Sequence, residues 1–399
     1  MLSHHKQTLI RLFKQCHRIY ANPQESVGEC LNVQETLIQK ITYIERRIRG
    51  QKIAIQNLKY QLGGYDGIRL SKDEARKAKD EIEQYHQKID EYQELASIYR
   101  DIGDALAFSY IDKWDIKPLA IKQAAGALSG KKGSRLERKV LRNAFASGHI
   151  VLLNDITNCL RYGDITVPKD GKFMILEAKS SKNRTHRDIR QSAEVQNLLN
   201  FYETDSTDKL YMKDRKSKRV GFGANETHYR DKINTLVLDA TINGVAVMEA
   251  ESGLLYIVST TKFSPEVAVD RVGDLLKKFT GKPIASLLSR NSRSYIYFPV
   301  ILTIQDPESL YKFYDGQISI VTIVDTGVIE SKLHLQNLYF NVIENDNEWI
   351  AEVVENETPR MKIGSSLWLR LYAEFISLEW FVNEIIIHVV KSTLNNTPQ

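Results

Sequence analysis

The sequence predicts a mixed α/β protein of α+β type: a helical N-terminal arm, a mixed-sheet core in the middle, and an α+β C-terminal extension. Three observations predict it. Leu37, Ile41, Ile44, Ile48, Gln51, Ile55, Leu58 and Leu62 step alternately by four and three, an a/d heptad seam with one polar position. Beyond residue 133, short β-rich apolar runs alternate with stretches of helical spacing. The chain has 399 residues, 42% hydrophobic and 26% charged, which is long enough for two or three domains and apolar enough to bury sizeable cores.

The first seam stops at Gly63-Gly64-Tyr65-Asp66-Gly67, whose glycines supply the positive φ of a turn. Ser71-Lys-Asp-Glu74 has the spacing of a capping box and opens a second seam of Ala75, Ala78, Ile82, Tyr85, Ile89, Tyr92, Ala96 and Tyr99. Two heptad helices joined by a short glycine turn make an antiparallel coiled-coil hairpin. It serves as a structural arm or as a dimerisation or sensing arm.

A Gly/Lys-rich stretch ending Ser129-Gly-Lys-Lys-Gly133 reads as a hinge. The boundaries are therefore a helical region at 1–130, a core at 131–280 with a polar insertion at 205–232, and an extension at 281–399. Within the core the pattern gives a helix at 134–147, a β-rich run at 149–155, and strands at 164–167 and 173–178. Pro168-Lys-Asp-Gly171 joins those two strands as a hairpin turn. A helix at 186–202 and strands at 233–239, 245–249 and 254–259 follow. Further on come a short helix at 265–279, strands at 294–305 and 318–324, and one long final helix at 365–391. That last helix carries Leu367, Leu371, Phe375, Leu378 and Phe381 on one face.

Several function classes drop out. Three cysteines (Cys16, Cys30 and Cys159) share no metal-site spacing, which argues against a disulfide framework or zinc site and for a reducing cytoplasm. No stretch of 18 uncharged apolar residues occurs, so no membrane span is expected. A GxxxxGK[ST] motif is absent as well, so ATP-driven translocation would need a separate partner. The formal net charge of +5 permits a polyanionic partner without requiring one.

The chemistry is concentrated between Tyr162 and Lys182. Asp164 opens one strand, and Glu177-Ala-Lys179 closes the next. Residues two apart in a strand share a face, so Glu177 and Lys179 project together, and the hairpin returns Asp164 beside Glu177. Two carboxylates at one place repel unless a hard cation neutralises them. Mg²⁺ needs only one or two carboxylates beside water and phosphate oxygens. A lysine at the same place can orient water and stabilise charge on phosphate, the requirements of phosphodiester hydrolysis.

This pattern resembles the PD-(D/E)XK nuclease superfamily, with its restriction-endonuclease-like core of helix, three strands, helix and strand. Glu177-Ala-Lys179 matches the ExK half and Gly163-Asp164 the Asp half, without the proline. The resemblance covers residues 134–259. It implies Asp164, Glu177, Lys179, Gln191 and Glu137 as catalytic residues, with Asp164, Glu177 and Glu137 as ligands of Mg²⁺ (or Mn²⁺). Gln196 is a second candidate for the Gln191 position. Bottom-up, Glu137 reads equally well as a surface charge between Arg135 and Arg138.

Basic clusters flank the site: Lys131, Lys132, Arg135, Arg138, Lys139 and Arg142 before it, Lys182, Arg184, His186, Arg187 and Arg190 after it, and Lys213 to Arg219 in the insertion. Lys182, Arg184 and Arg187 are the expected phosphate contacts. The resemblance implies an endonuclease, DNA favoured over RNA, in a setting like bacterial anti-phage defence or restriction. The expected partners are nucleic acid, further copies of the chain and a separate activator. The alternative is a catalytically silent nuclease fold used for binding or assembly.

Overall fold

A computed structural model describes residues 1–63, 70–121, 128, 134–169, 171–178, 186–210, 216–219, 221–222, 225–261, 272–292, 297–343 and 349–395. The chain is mixed helix and sheet, in two compact units, Met1–Lys218 and Arg219–Gln399. No helix among the described residues is long and apolar enough to cross a membrane.

The first unit is led by three helices, α1 (Lys6–Ala21), α2 (Val27–Leu62) and α3 (Lys72–Tyr110). Both heptad seams point inward: Leu37, Ile41, Ile44, Ile55, Ala78, Ile89, Tyr92, Ala96 and Tyr99 are buried, and the other seam positions are half-buried. Arg100 meets Glu45 at 3.0 Å and Arg47 donates to Tyr92 Oη at 3.1 Å, so position falls on α3 as it rises on α2. The pair is antiparallel. Ser71 caps α3 as its spacing predicts: the Glu74 amide donates to Ser71 Oγ at 3.3 Å, and the Ser71 amide returns to Glu74 Oε2 at 2.9 Å. The turn at 64–69 lies outside the described residues.

After α4 (Lys113–Leu119) comes α5 (Ser134–Ala146), then a three-stranded antiparallel sheet of order β1-β2-β3. Its strands are β1 (Leu152–Leu153), β2 (Ile165–Lys169) and β3 (Lys172–Leu176). Helix α6 (His186–Thr204) and a small ladder of β4 (Ser206–Thr207) with β5 (Ser217–Lys218) complete the unit. The expected β-rich run at 149–155 is strand only at β1, because Asn154–Ile156 coils into a 3-10 turn.

The arm and the sheet are stitched together at buried positions. Gln34, fully buried on α2, donates to Val151 O at 2.8 Å and accepts from the Leu153 amide at 3.0 Å. Asp104 on α3 accepts from the Asn158 and Cys159 amides at 2.6 and 2.9 Å. At Gly103 the helix approaches so closely that a Cβ would stand 2.1 Å from Ile156 O. All three cysteines are buried free thiols.

The second unit holds an antiparallel sheet of order β6-β7-β9-β8, from β6 (Val245–Glu251), β7 (Leu254–Thr260), β8 (Pro283–Leu288) and β9 (Ile318–Asp325). A separate antiparallel meander follows: β10 (Leu338–Val342), β11 (Trp349–Glu355) and β12 (Thr358–Gly364).

Three expectations fail here. Residues 233–239 lie in a helix, α7 (Arg230–Asn243). Ile233, Leu236, Val237 and Ala240 are its buried positions, the three-four spacing of a helix, and β-branched composition concealed it. The expected strand at 294–305 contains a helical turn, Val300–Thr303, with 293–296 outside the described residues. The single final helix is three, Ser365–Trp368, Arg370–Ala373 and Leu378–Asn395. Phe375 turns left-handed at φ +56° because the chain leaves the helix to pair with 227–229: the Tyr229 amide donates to Phe375 O at 2.7 Å and Ser377 N to Thr227 O at 2.8 Å. Of the short helix expected at 265–279, 272–276 is helical and 262–271 lies outside the described residues.

Candidate active site

The β2–β3 ladder pairs Ile165 with Leu176, Thr166 with Ile175 and Val167 with Met174. The ladder ends at the Ile165–Leu176 pair, and Asp164 and Glu177 are the next residue on each side, where the register gives way. The Asp164 amide donates to Leu176 O at 2.9 Å, and the Ala178 amide donates to Asp164 Oδ2 at 2.8 Å. Both acids are half-buried, at the end of the sheet. Asp164 and Glu177 thus lie at the same end of the hairpin, each one residue beyond its last paired strand position.

The segment that carries Asp164 is held by Asn154, which carries no signal in the sequence, and by Gly163. Asn154 donates through Nδ2 to Tyr162 O at 2.6 Å and through its amide to Asp164 O at 3.0 Å. Its Oδ1 accepts from Thr166 Oγ1 at 2.8 Å, which fixes which way the amide faces. Gly163 sits at φ +69° immediately before Asp164, and a Cβ there would stand 2.4 Å from Ile175 Cγ2. Glycine is what that turn accepts.

Strand β3 differs from expectation. Its apolar run suggests a covered strand, yet Met174 is 50% and Leu176 42% exposed, and β3 is the edge of its sheet. The strand that would follow α6 and cover it was expected at 233–239, which is α7 in the other unit. Phe173, on the opposite face from Met174, does pack: its ring meets Tyr202 of α6 edge-on at 4.9 Å.

Glu137 is 3% exposed, so its surface-charge reading is corrected. It lies on the core side of α5 with Leu141 and Phe145, at i, i+4 and i+8. Among the described residues no group of three or more His, Cys, Asp or Glu gathers closely enough to hold a metal ion. Gln191 is half-buried on α6, and Gln196 is exposed, donating to Asn200 Oδ1 at 2.9 Å. Lys179, Lys182 and Arg184 lie outside the described residues, as do the side chains of His186 and Arg187.

The basic residues of α5 take the side away from Glu137. Arg135, Arg138, Lys139 and Arg142, with Asn143, line an open hollow of about 300 Å³. Arg142 also reaches Glu35 of α2 at 2.7 Å.

Comparison with known proteins supplies no relative: no family model matches the chain, and neither a curated protein nor a solved structure matches it.

Proposed function

We propose that this protein is a Mg²⁺-dependent endonuclease, with Mn²⁺ able to substitute, that hydrolyses phosphodiester bonds in nucleic acid, DNA in preference to RNA. The observation that carries the reading is the position of Asp164 and Glu177 at the same end of the β2–β3 hairpin, with the Ala178 amide on Asp164 Oδ2. Two half-buried carboxylates at one end of a hairpin are hard oxygen donors in the number that Mg²⁺ uses alongside water and phosphate. When bound, the cation supplies Lewis acidity and a nucleophilic water at neutral pH. Asp164 and Glu177 hold it, and the Ala178 amide fixes the Asp164 carboxylate. Lys179, assigned by the resemblance, orients the water that attacks phosphorus as the ester oxygen departs. The setting that the resemblance suggests is bacterial anti-phage defence or restriction.

A second reading is a nuclease fold retained for binding, favoured by the exposed β3 edge. One experiment separates the two. Circular DNA, linear DNA and RNA are incubated with the native protein and with Asp164→Asn, Glu177→Gln and Lys179→Ala, in Mg²⁺ or Mn²⁺. The endonuclease reading expects native cleavage of circular DNA and a loss of at least about 100-fold in each variant, since such groups are each worth several kcal/mol in the transition state. Equal cleavage by all four proteins overturns the site, and binding without cleavage by any favours the second reading.

A further inference from the structure

Helix α5 carries four cations within two turns. Arg135–Arg138 and Lys139–Arg142 are i,i+3 pairs; Arg135–Lys139 and Arg138–Arg142 are i,i+4 pairs. Like charges at these spacings cost an isolated helix about 0.2–0.5 kcal/mol each, so the arrangement opposes the stability of α5. A local conflict of this kind marks a place where function overrides folding. The hollow that these side chains line has no carboxylate in its wall.

A second basic stretch lies on α2. From Arg46 to Tyr60 the sequence holds Arg46, Arg47, Arg49, Lys52 and Lys59 and no acid. All five are exposed, and Arg49 and Lys52 help to line a larger hollow of about 410 Å³ against Gln93, Ala96 and Arg100 of α3. The one acid in that wall, Glu45, is taken up by Arg100 at 3.0 Å and the Leu128 amide at 3.1 Å.

The two stretches are aligned. Glu35, which anchors Arg142, and Arg49 are two heptads apart and occupy the same row of α2. From Glu35 to Lys59 is 24 residues, about 36 Å of helix at 1.5 Å per residue. A turn of B-form duplex is about 34–36 Å. The stretch from Arg46 to Lys59 is helical throughout and holds no acid, and such a fixed row of cations suits a duplex better than a flexible single strand.

We propose that the outer side of α5 and the basic flank of α2 form one track that grips the phosphate backbone of double-stranded nucleic acid, apart from the acid pair. The choice of nucleic acid as the polyanion rests on the nuclease reading; the track itself rests on charge and alignment. The coiled-coil arm is then a substrate-holding element, and the contacts are indifferent to base sequence.

The test is fluorescence anisotropy of the full-length protein with a 20-base-pair duplex in EDTA, across a salt series. The native protein is compared with Arg138→Gln/Lys139→Gln and with Arg49→Gln/Lys52→Gln, each checked by circular dichroism for native helix content. Each pair is expected to weaken binding about tenfold or more at 0.1 M salt and to lower the slope of log K against log salt by about 2, the loss of two phosphate contacts. Unchanged affinity and slope in both overturn the track. So does equal affinity for a single strand of the same length, or displacement of the duplex by anionic lipid vesicles. Failure of the nuclease reading looks different: cleavage in Mg²⁺ that survives Glu177→Gln refutes that reading while leaving the duplex-binding result intact.

Discussion

At Gly163 an added methyl group would lie 2.4 Å from Ile175 Cγ2 and 2.9 Å from Leu176 O, on a backbone at φ +69°. Gly163→Ala therefore combines left-handed strain of about 1–2 kcal/mol with overpacking of about 1–3 kcal/mol. Denaturant unfolding should show a loss of about 2–5 kcal/mol, with cleavage falling because Asp164 is the next residue. Asp104 gives a pH signature. Burial, helped by the charge of Asp101, pushes its carboxyl up to about 7 despite the Asn158 and Cys159 donors. The folded state thus holds a proton that the unfolded chain, near 3.8, releases. This contribution is complete below about pH 4 and is lost as pH rises through 7. Between pH 5 and 8 it removes at most about 3 kcal/mol, and Asp104→Asn should flatten that limb of a stability–pH curve. The site residues divide by how local their signals are. The hairpin that leads to Asp164 and Glu177 is legible because alternation and hairpin-turn chemistry act within a dozen residues. Asn154 and Gln34 are not: an amide reads as polar loop or helix surface until the partner, in Gln34's case more than a hundred residues away, is in place.

Among the elements, those with a long and strict period survive from sequence to structure. The α2–α3 hairpin and its Ser71 capping box are present as the heptads predict, because seam burial and capping are settled within the hairpin. Elements decided by distant contacts are misread. Helix α7 presents Ile, Leu and Val to a sheet and so resembles a strand in composition. The last helix has a continuous apolar stripe, yet the pairing of 375–377 with 227–229 interrupts it. Gln34 is the element-level test of how arm and sheet are joined. Gln34→Leu keeps the volume but removes both bonds to β1, leaving a buried carbonyl and a buried amide hydrogen unsatisfied at about 1–3 kcal/mol each. Thermal unfolding should fall by several degrees or more, whereas an exposed α2 change such as Gln56→Ala should leave it unmoved.

For the whole molecule, the division after Lys218 assigns the acid pair, α5, α6 and the coiled-coil arm to one compact unit, and the four-stranded sheet with its meander to the other. A chain ending at Lys218 should therefore fold with its own cooperative transition, bind duplex and retain metal-dependent cleavage. Loss of all cleavage with binding and folding intact would show that catalysis draws on residues after 218. The sheet of this unit is small, and its two edges are treated differently. On one side β3 presents Met174 and Leu176 to solvent. On the other, the carbonyl of Val151 and the amide of Leu153 are occupied by one side-chain amide, that of Gln34, in place of a neighbouring strand. An unpaired strand edge is a template for pairing with other chains. Until α2 docks during synthesis and refolding, the β1 edge is open to any extended segment nearby. The coiled-coil arm thereby acts as an internal guard against misassembly: chains that lose the Gln34 amide should partition into aggregates on refolding well before the folded protein shows a comparable loss of helix.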